Sequence, residues 1–315
     1  GLHITGGSAN GLGGGVYSTD AAGGIYVVDA TVTLRDSLVL GNTAGWGGGL
    51  YASKGHIVLS GVDFVGNRAD LGGGLYATES AIRLDGVDFV DNRAETSEGG
   101  GLYLDVGSVM TGTQYAVTRN RAHRDGGGVY LNQSDANLTH GLIEGNEADD
   151  DGAGFYLYET QATIIAASEI AANEAGDNGG GLHARRAALS IVNGLFVGNH
   201  AADRGSGLFL ADSPVRLWHN TLVRNTGGAG LYVAGESSPV LTNTILTSHT
   251  VAVEVSTGST ATLEATLWGG GDWANGQDWV GNVVTGTHNA WGDPRFANAA
   301  LDDYHLRAGS PAVDA

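Results

Sequence analysis

The sequence contains no cysteine, only four prolines and a single lysine, Lys54, among 315 residues. Without cysteine there is no disulfide framework and no thiolate metal site. One lysine and a formal net charge of −19 argue against nucleic acid and anionic membranes as partners. No apolar run approaches the ~18 residues of a membrane span. What the chain does have is glycine, 54 residues of it, together with 42% hydrophobic residues. Disordered Gly-rich chains lack such apolar content, and collagen needs Gly at every third position, so this chain can bury a substantial core. The chain opens on Gly1 with no signal peptide, which processing of a precursor or a trimmed boundary would explain.

Two signatures recur in register. The first is Gly-aliphatic-aromatic: Gly24-Ile25-Tyr26, Gly49-Leu50-Tyr51, Gly74-Leu75-Tyr76, Gly101-Leu102-Tyr103 and Gly128-Val129-Tyr130. It continues as Gly154-Phe155-Tyr156, Gly181-Leu182-His183, Gly207-Leu208-Phe209 and Gly230-Leu231-Tyr232. The second is an asparagine after a short apolar strand: Asn42, Asn67, Asn92, Asn120, Asn146, Asn173, Asn199 and Asn225, spaced 25, 25, 28, 26, 27, 26 and 26 apart. Gly-to-Asn within a repeat is 18 or 19 residues from Gly49 onward. Each unit alternates with period two, apolar flanks inward and the aromatic outward. A second short strand follows (Ile57 and Leu59; Ile82 and Leu84), and a third precedes the asparagine (Phe64, Phe89, Val117, Ile143, Ile170, Phe196, Leu222).

Three strands in about 25 residues, with no 3.6-residue stripe, exclude helical solenoids. The expected fold is all-β: a right-handed, three-sided parallel β-helix of about nine to ten rungs. Stacked at ~4.8 Å, equivalent residues form ladders. The ladder asparagines are expected at left-handed turn positions, bonded to their stacked neighbours. The glycines are expected to supply φ > 0 at the corner.

Residues 1–250 read as regular rungs and 251–315 as irregular closing rungs of the same domain. There Trp268, Trp273, Trp279 and Trp291 are expected to cover the open end of the core. At the other end Leu2-His3-Ile4 already reads as a strand, and a Gly-rich stretch leads to Gly15-Val16-Tyr17. That uncapped start suggests missing upstream rungs, a partner, or end-to-end stacking.

The pairing of GGG(L/V)Y with a later (F/I)xxN resembles the repeats of polymorphic outer-membrane proteins and related bacterial pectin-lyase-like β-helix proteins. The ending, GDPRF…DYHLRAGSPAVDA, looks like the closing segment of secreted β-helix proteins that continue into a variable C-terminal surface anchor. The resemblance covers almost the whole chain and implies a secreted or surface-attached bacterial protein, commonly adhesive. It also makes a carbohydrate-active enzyme the rival reading, because the fold hosts many functions.

A lyase needs a basic residue near a uronate carboxylate, for which Arg119, Arg121, Arg124, Arg185 and Arg186 are available. A glycosidase needs two separated carboxylates, whereas Asp149, Asp150 and Asp151 share one turn. Acidic residues recur before the Gly signature: Asp70, Glu95, Glu98, Asp125, Asp151, Asp177 and Asp203. Stacked like charges repel unless paired or bridged. Arg68, Arg93 and Arg121 follow the ladder asparagine and could pair with some of them, but Glu147, Glu174 and His200 replace them later. Calcium is therefore a candidate near Asp149, Asp150, Asp151 and Asp177, the alternative being a solvated acidic edge. The candidate ligand surface is the outward column Tyr26, Tyr51, Tyr76, Tyr103, Tyr130, Tyr156, His183, Phe209 and Tyr232, whose rings could meet sugar rings or another molecule. The alternative is that the rings shield the sheet and stabilise one another.

Short, even turns up to about Asn225 leave little material for cleft walls, which favours a non-enzymatic role. The expected function is an extracellular or cell-surface structural and adhesive β-helix, with end-to-end fibres as one version. Its partners would be other copies of itself or cell-surface glycans. The second expectation is a carbohydrate-binding or polysaccharide-degrading β-helix, lyase or hydrolase.

Overall fold

A computed structural model describes residues 1–9 and 20–313. Gly15, Val16, Tyr17 and Asp314 lie outside the described residues. The chain winds through about ten turns of parallel solenoid. Strands such as Leu50–Ser53, Leu75–Thr78 and Leu102–Asp105 stack into an 11-stranded sheet that carries the aromatic residues. The second and third strands of each coil build an 18-stranded sheet that bends around the core. Two-residue strands after each ladder asparagine from Asn67 to Asn225, such as Arg93–Ala94, add a seven-stranded ribbon. Register is kept from coil to coil: Leu75 pairs with Leu102, Leu102 with Val129, and Val129 with Phe155. One apolar core runs the length of the molecule, with Leu50, Leu75, Leu102, Phe155, Leu182, Leu208 and Leu231 fully buried in a single file.

The corners differ from expectation. At the asparagine corner it is the preceding residue that is left-handed: Gly41, Gly66, Asp91, Arg119, Gly145, Ala172, Gly198, Arg224 and Ser248, with φ between 51° and 62°. That frees each asparagine to point inward, where it is buried at 0–1% exposure. Asn67 shows the pattern. Its Oδ1 accepts from both the backbone N–H and Nδ2 of Asn42, at 3.0 Å each. Its Nδ2 donates to the Val39 carbonyl and to Asn92 Oδ1, at 2.9 and 3.0 Å. A buried amide with all four positions used leaves no polar atom unsatisfied and ties three coils together.

The glycine signature also divides its labour. Gly72 has φ 62°, a conformation that side chains other than glycine's rarely adopt. Gly74 is needed for space, because a Cβ there would lie 2.5 Å from the Gly101 carbonyl oxygen of the next coil.

The closing segment caps the solenoid only in part. Trp268 is fully buried and packs against half-buried Trp279 at 5.2 Å between ring centres, filling the end of the core. Trp273 instead meets Phe296 at the side of the solenoid, 5.0 Å away, and Trp291 is 57% exposed. The correction has a physical cause. The outward side chains Ala171, Val197, Val223, Ile245 and Leu267 leave an apolar strip on the last coils. The hairpin Phe296–Asn298 with Asp303–Leu306 folds back to cover it through Phe296 and Tyr304.

Candidate functional site

The aromatic column forms, but it is not an open face. Ring centres from Tyr26 to Tyr156 succeed one another at 4.8–5.4 Å with planes within 17° of parallel. Each interior ring therefore presents both π faces to its neighbours. His183 turns edge-on, at 67° to Tyr156 and 68° to Phe209, before Phe209 and Tyr232 stack again. Trp46 and Leu71, from the turns beside the sheet, pack against the first rings. Tyr51, Tyr76, Tyr103, Tyr156, His183 and Tyr232 are buried, Tyr130 and Phe209 half-buried, and Tyr26 exposed. Sequence alternation places a side chain outside the sheet; it does not say what lies against that side. The expectation of an exposed sugar-stacking surface is corrected accordingly.

Polar groups finish the column edge. The Tyr76 hydroxyl donates to Asp105 Oδ2 at 2.8 Å, and Asn132 Nδ2 donates to the other carboxylate oxygen at 2.8 Å. Burial, then the Asp105 charge, pushes the Tyr76 phenol far above its ordinary range. Arg204 lies over the Tyr232 ring, 5.1 Å from its centre.

The acidic residues fall in two columns, not one. Backbone bonds stack Glu98 on Asp125, Asp125 on Asp151 and Asp151 on Asn178. A second file joins Arg124, Asp150, Asp177 and Asp203. Asp125 is the most perturbed: burial, with Asp151, Glu98 and Asp150 nearby, raises its carboxyl to about 7 although it accepts the Asp151 N–H at 3.0 Å. Asp151 is held below its usual value because hydrogen bonds outweigh its burial. His183 Nδ1 lies 3.2 Å away, and Asn178 donates through its backbone N–H and Nδ2 at 2.9 and 3.0 Å.

The four calcium candidates turn to different partners. Asp149 pairs with Arg121 and His123 at 2.8 and 3.0 Å, and Asp150 approaches Arg124 at 3.8 Å. Asp151 serves Asn178, and Asp177 is exposed. Calcium takes six to eight oxygens, and among the described residues no three His, Asp or Glu side chains are arranged to hold a metal.

The candidate lyase arginines are surface ion-pair members. Arg119 meets Asp91 at 3.1 Å, Arg121 meets Glu147 at 2.9 Å, Arg124 meets Glu98 at 3.5 Å and Arg186 meets Glu159 at 2.7 Å. Arg185 sits beside Tyr156 in the covered column. Arg68 likewise takes Glu95, at 2.6 Å. A guanidinium held in this way neutralises neighbouring acid and is poorly placed to take a proton.

Two features escaped the sequence reading. The asparagine ladder continues through His249, whose Nε2 faces Asn225 Nδ2 at 3.2 Å, and whose backbone N–H donates to Asn275 Oδ1 at 3.1 Å. The steps of 24 and 26 residues were the available signal. Burial lowers the His249 imidazole to about 4, so it sits in the ladder as a neutral ring. The second feature is a cleft of about 470 Å³ between the closing hairpin and the flank of the solenoid. Glu169, Asn193 and His219 line it from the coils, and Asp302, Asp303 and His305 from the hairpin. Burial, then Glu144 and Asp302, raises the Glu169 carboxyl.

Among known proteins, a family model described as a right-handed beta helix region matches residues 106–267, just over half of the chain. No curated protein matches. Among solved structures the chain is similar to the TibC-catalyzed hyper-glycosylated TibA55-350 fragment, at 13% identity, over 85% of this chain and 99% of that one. The TM-score of 0.18 is too low to carry any argument. Repeat, register, continuous core and family match agree, and the chain belongs to the right-handed β-helix family.

Proposed function

We propose that this protein is an extracellular or cell-surface structural and adhesive rod. The observation that carries the reading is the unbroken internal ladder from Asn42 to Asn225, prolonged by His249 and Asn275. Such a ladder locks each coil to the next and makes a stiff body about 50 Å long at ~4.8 Å per coil. The same coils have short turns, arginines committed to carboxylates and aromatic faces committed to each other. This is the build of a scaffold that holds surface groups at fixed spacing. No helix among the described residues is long and apolar enough to cross a membrane.

Solution scattering and negative-stain imaging test the reading together with a cell-adherence assay. Expected are elongated particles that adhere to cells, with end-to-end filaments if the open strand edges of terminal coils pair. Compact particles, or elongated ones that bind neither cells nor each other, would overturn it. Incubation with acidic polysaccharides is expected to release neither unsaturated products nor reducing ends; either product would move the protein to the lyase or hydrolase reading.

A further inference from the structure

Among several hollows along the described surface, the cleft beside the hairpin is lined by two distant parts of the chain. The coils supply a floor at Leu195 and a rim at Asn193 and His219. Both rim residues are in the left-handed conformation, at φ 52° and 57°, so their side chains stand at the outer corner of their coils. The His219 ring is further placed by Asn243, whose Nδ2 lies 3.4 Å from its Nδ1. On the opposite wall Asp303 Oδ1 receives the backbone N–H of His305 and holds its Nδ1, at 3.1 and 2.6 Å. The hairpin tip adds Leu301, 77% exposed.

We infer that this cleft binds a neutral, hydroxyl-rich sugar, and that it is the glycan contact of the adhesive role proposed above. The inference rests on that reading and deepens it. Its chemistry follows from the lining. One amide, two imidazoles and three carboxylates offer donors and acceptors at close quarters, which suits adjacent sugar hydroxyls. No arginine or lysine lines the described cleft, Arg224 standing behind its Tyr304 wall, so a uronate, sialate or sulfate would find no guanidinium or ammonium in the lining to pair with. Glu169, Asp302 and Asp303 would repel such groups. A bare metal ion is a poorer fit, because no three His, Asp or Glu side chains among the described residues are arranged to hold one. The volume lies within the ~300–1,000 Å³ usual for small-ligand sites. The half-buried Glu169 carboxylate adds an acceptor on the coil side of the cleft.

The test uses the whole protein, with neutral oligosaccharides of glucose, mannose, galactose and xylose, and with sialylated and galacturonate oligosaccharides, read by calorimetry and ligand-observed NMR. Asn193→Gly and His219→Gly are the informative variants. Glycine accepts their left-handed backbone, so thermal stability is expected to hold or rise while the side chain is lost. Expected are binding of at least one neutral sugar, at least tenfold weaker binding in either variant, and weaker binding of the acidic sugars. Neutral-sugar binding unaffected by both substitutions would overturn the site, and equal binding of acidic sugars would overturn the assigned chemistry. Cell adherence by the native protein with no sugar bound would overturn the inference and leave the adhesive rod standing. Absence of adherence together with variant-sensitive sugar binding would do the reverse.

Discussion

The early and late coils solve the same corner in different ways. In the early coils the second and third strands run on as single ten-residue strands, Thr31–Leu40, His56–Val65, Ala81–Val90, Val109–Thr118 and Asp135–Glu144. A left-handed residue in the middle (Asp36, Gly61, Gly86, Gln114, His140) bends each one. From Thr163 onward the strand breaks in two at the equivalent left-handed residues Ala167, Asn193, His219, Asn243 and Ala265. The residue just after the bend differs between most of the coils of the two regions. In the early coils it is buried Val62, Val87 and Tyr115 in three of the five, with Ser37 and Gly141 in the other two. In the late coils Ser168, Asn220 and Thr244 are buried there. These polar side chains take backbone bonds that strands would otherwise exchange. Ser168 Oγ accepts the Gly141 N–H at 3.1 Å, and Asn220 Oδ1 accepts the Gly194 N–H at 2.7 Å. In these late coils a polar side chain stands in for ladder bonds, although Ser37, which accepts the Leu2 N–H at 3.0 Å, does so within an unbroken strand. The broken coils are also those against which the hairpin packs.

The largest expected effect comes from the corner both regions share. Asn146→Ala removes bonds to Asn120, Val117 and Asn173 at once and leaves buried partners unsatisfied. Urea unfolding should show a loss of about 3–5 kcal/mol, larger than for any exposed substitution. The next variant turns a late corner into an early one. Asn220→Val strands the Gly194 N–H and the Ile191 carbonyl, and should cost about 2–4 kcal/mol by the same measurement. An unchanged midpoint would show that the polar corner does not hold the late coils.

The junction between the regions offers a third test. A Cβ at Gly141 would fall inside the Tyr115 ring of the neighbouring coil. Gly141→Val should therefore destabilise by about 1–3 kcal/mol, and the added change Tyr115→Val should recover most of the loss by recreating the Val62–Val87 pairing.

A fourth concerns pH. The Asp125 carboxyl, raised to about 7 in the fold, binds a proton more tightly there than in the unfolded chain. Its favourable contribution is complete below the unfolded value near 4 and is lost as pH rises through about 7. Asp125→Asn should flatten the fall in melting temperature between pH 4 and 8, and should stabilise at pH 8 by about 1–2 kcal/mol. The smallest effect is expected from Ala172→Gly, which relieves a left-handed alanine at φ 51° and should add about 1 kcal/mol in urea unfolding.

Much of the fold was legible because it is written in repeated identities. Asparagine and Gly-Leu-Tyr recur in phase, and a backbone that stacks like on like makes phase equivalent to contact. Positions fixed by conformation alone were not legible: glycine, aspartate, arginine and alanine occupy the left-handed place before the asparagine, and serine that before His249. His249 was missed for a related reason, since its ring fills the amide's position without sharing its identity. The tyrosines were placed correctly on the outer side of their sheet, but Tyr51, Tyr76 and Tyr103 wrongly in the open, because the Trp46 and Leu71 turns packed against these first rings carry no alternation. The hairpin cleft was not legible at all: Glu169 and Asp302 meet only because an apolar strip on the late coils draws the closing segment back.

The asparagine ladder also bears on how such a molecule can change over generations. Each amide is completed by the coils on either side and needs nothing farther away, so the segment from one asparagine to the next is a complete unit of length. Removing or duplicating one such unit would rejoin like to like in core, ladder and tyrosine column, and would move the cleft-bearing end by one coil spacing. Length can therefore drift in whole steps, like the rungs added to a ladder, while the cleft-bearing end stays as it was.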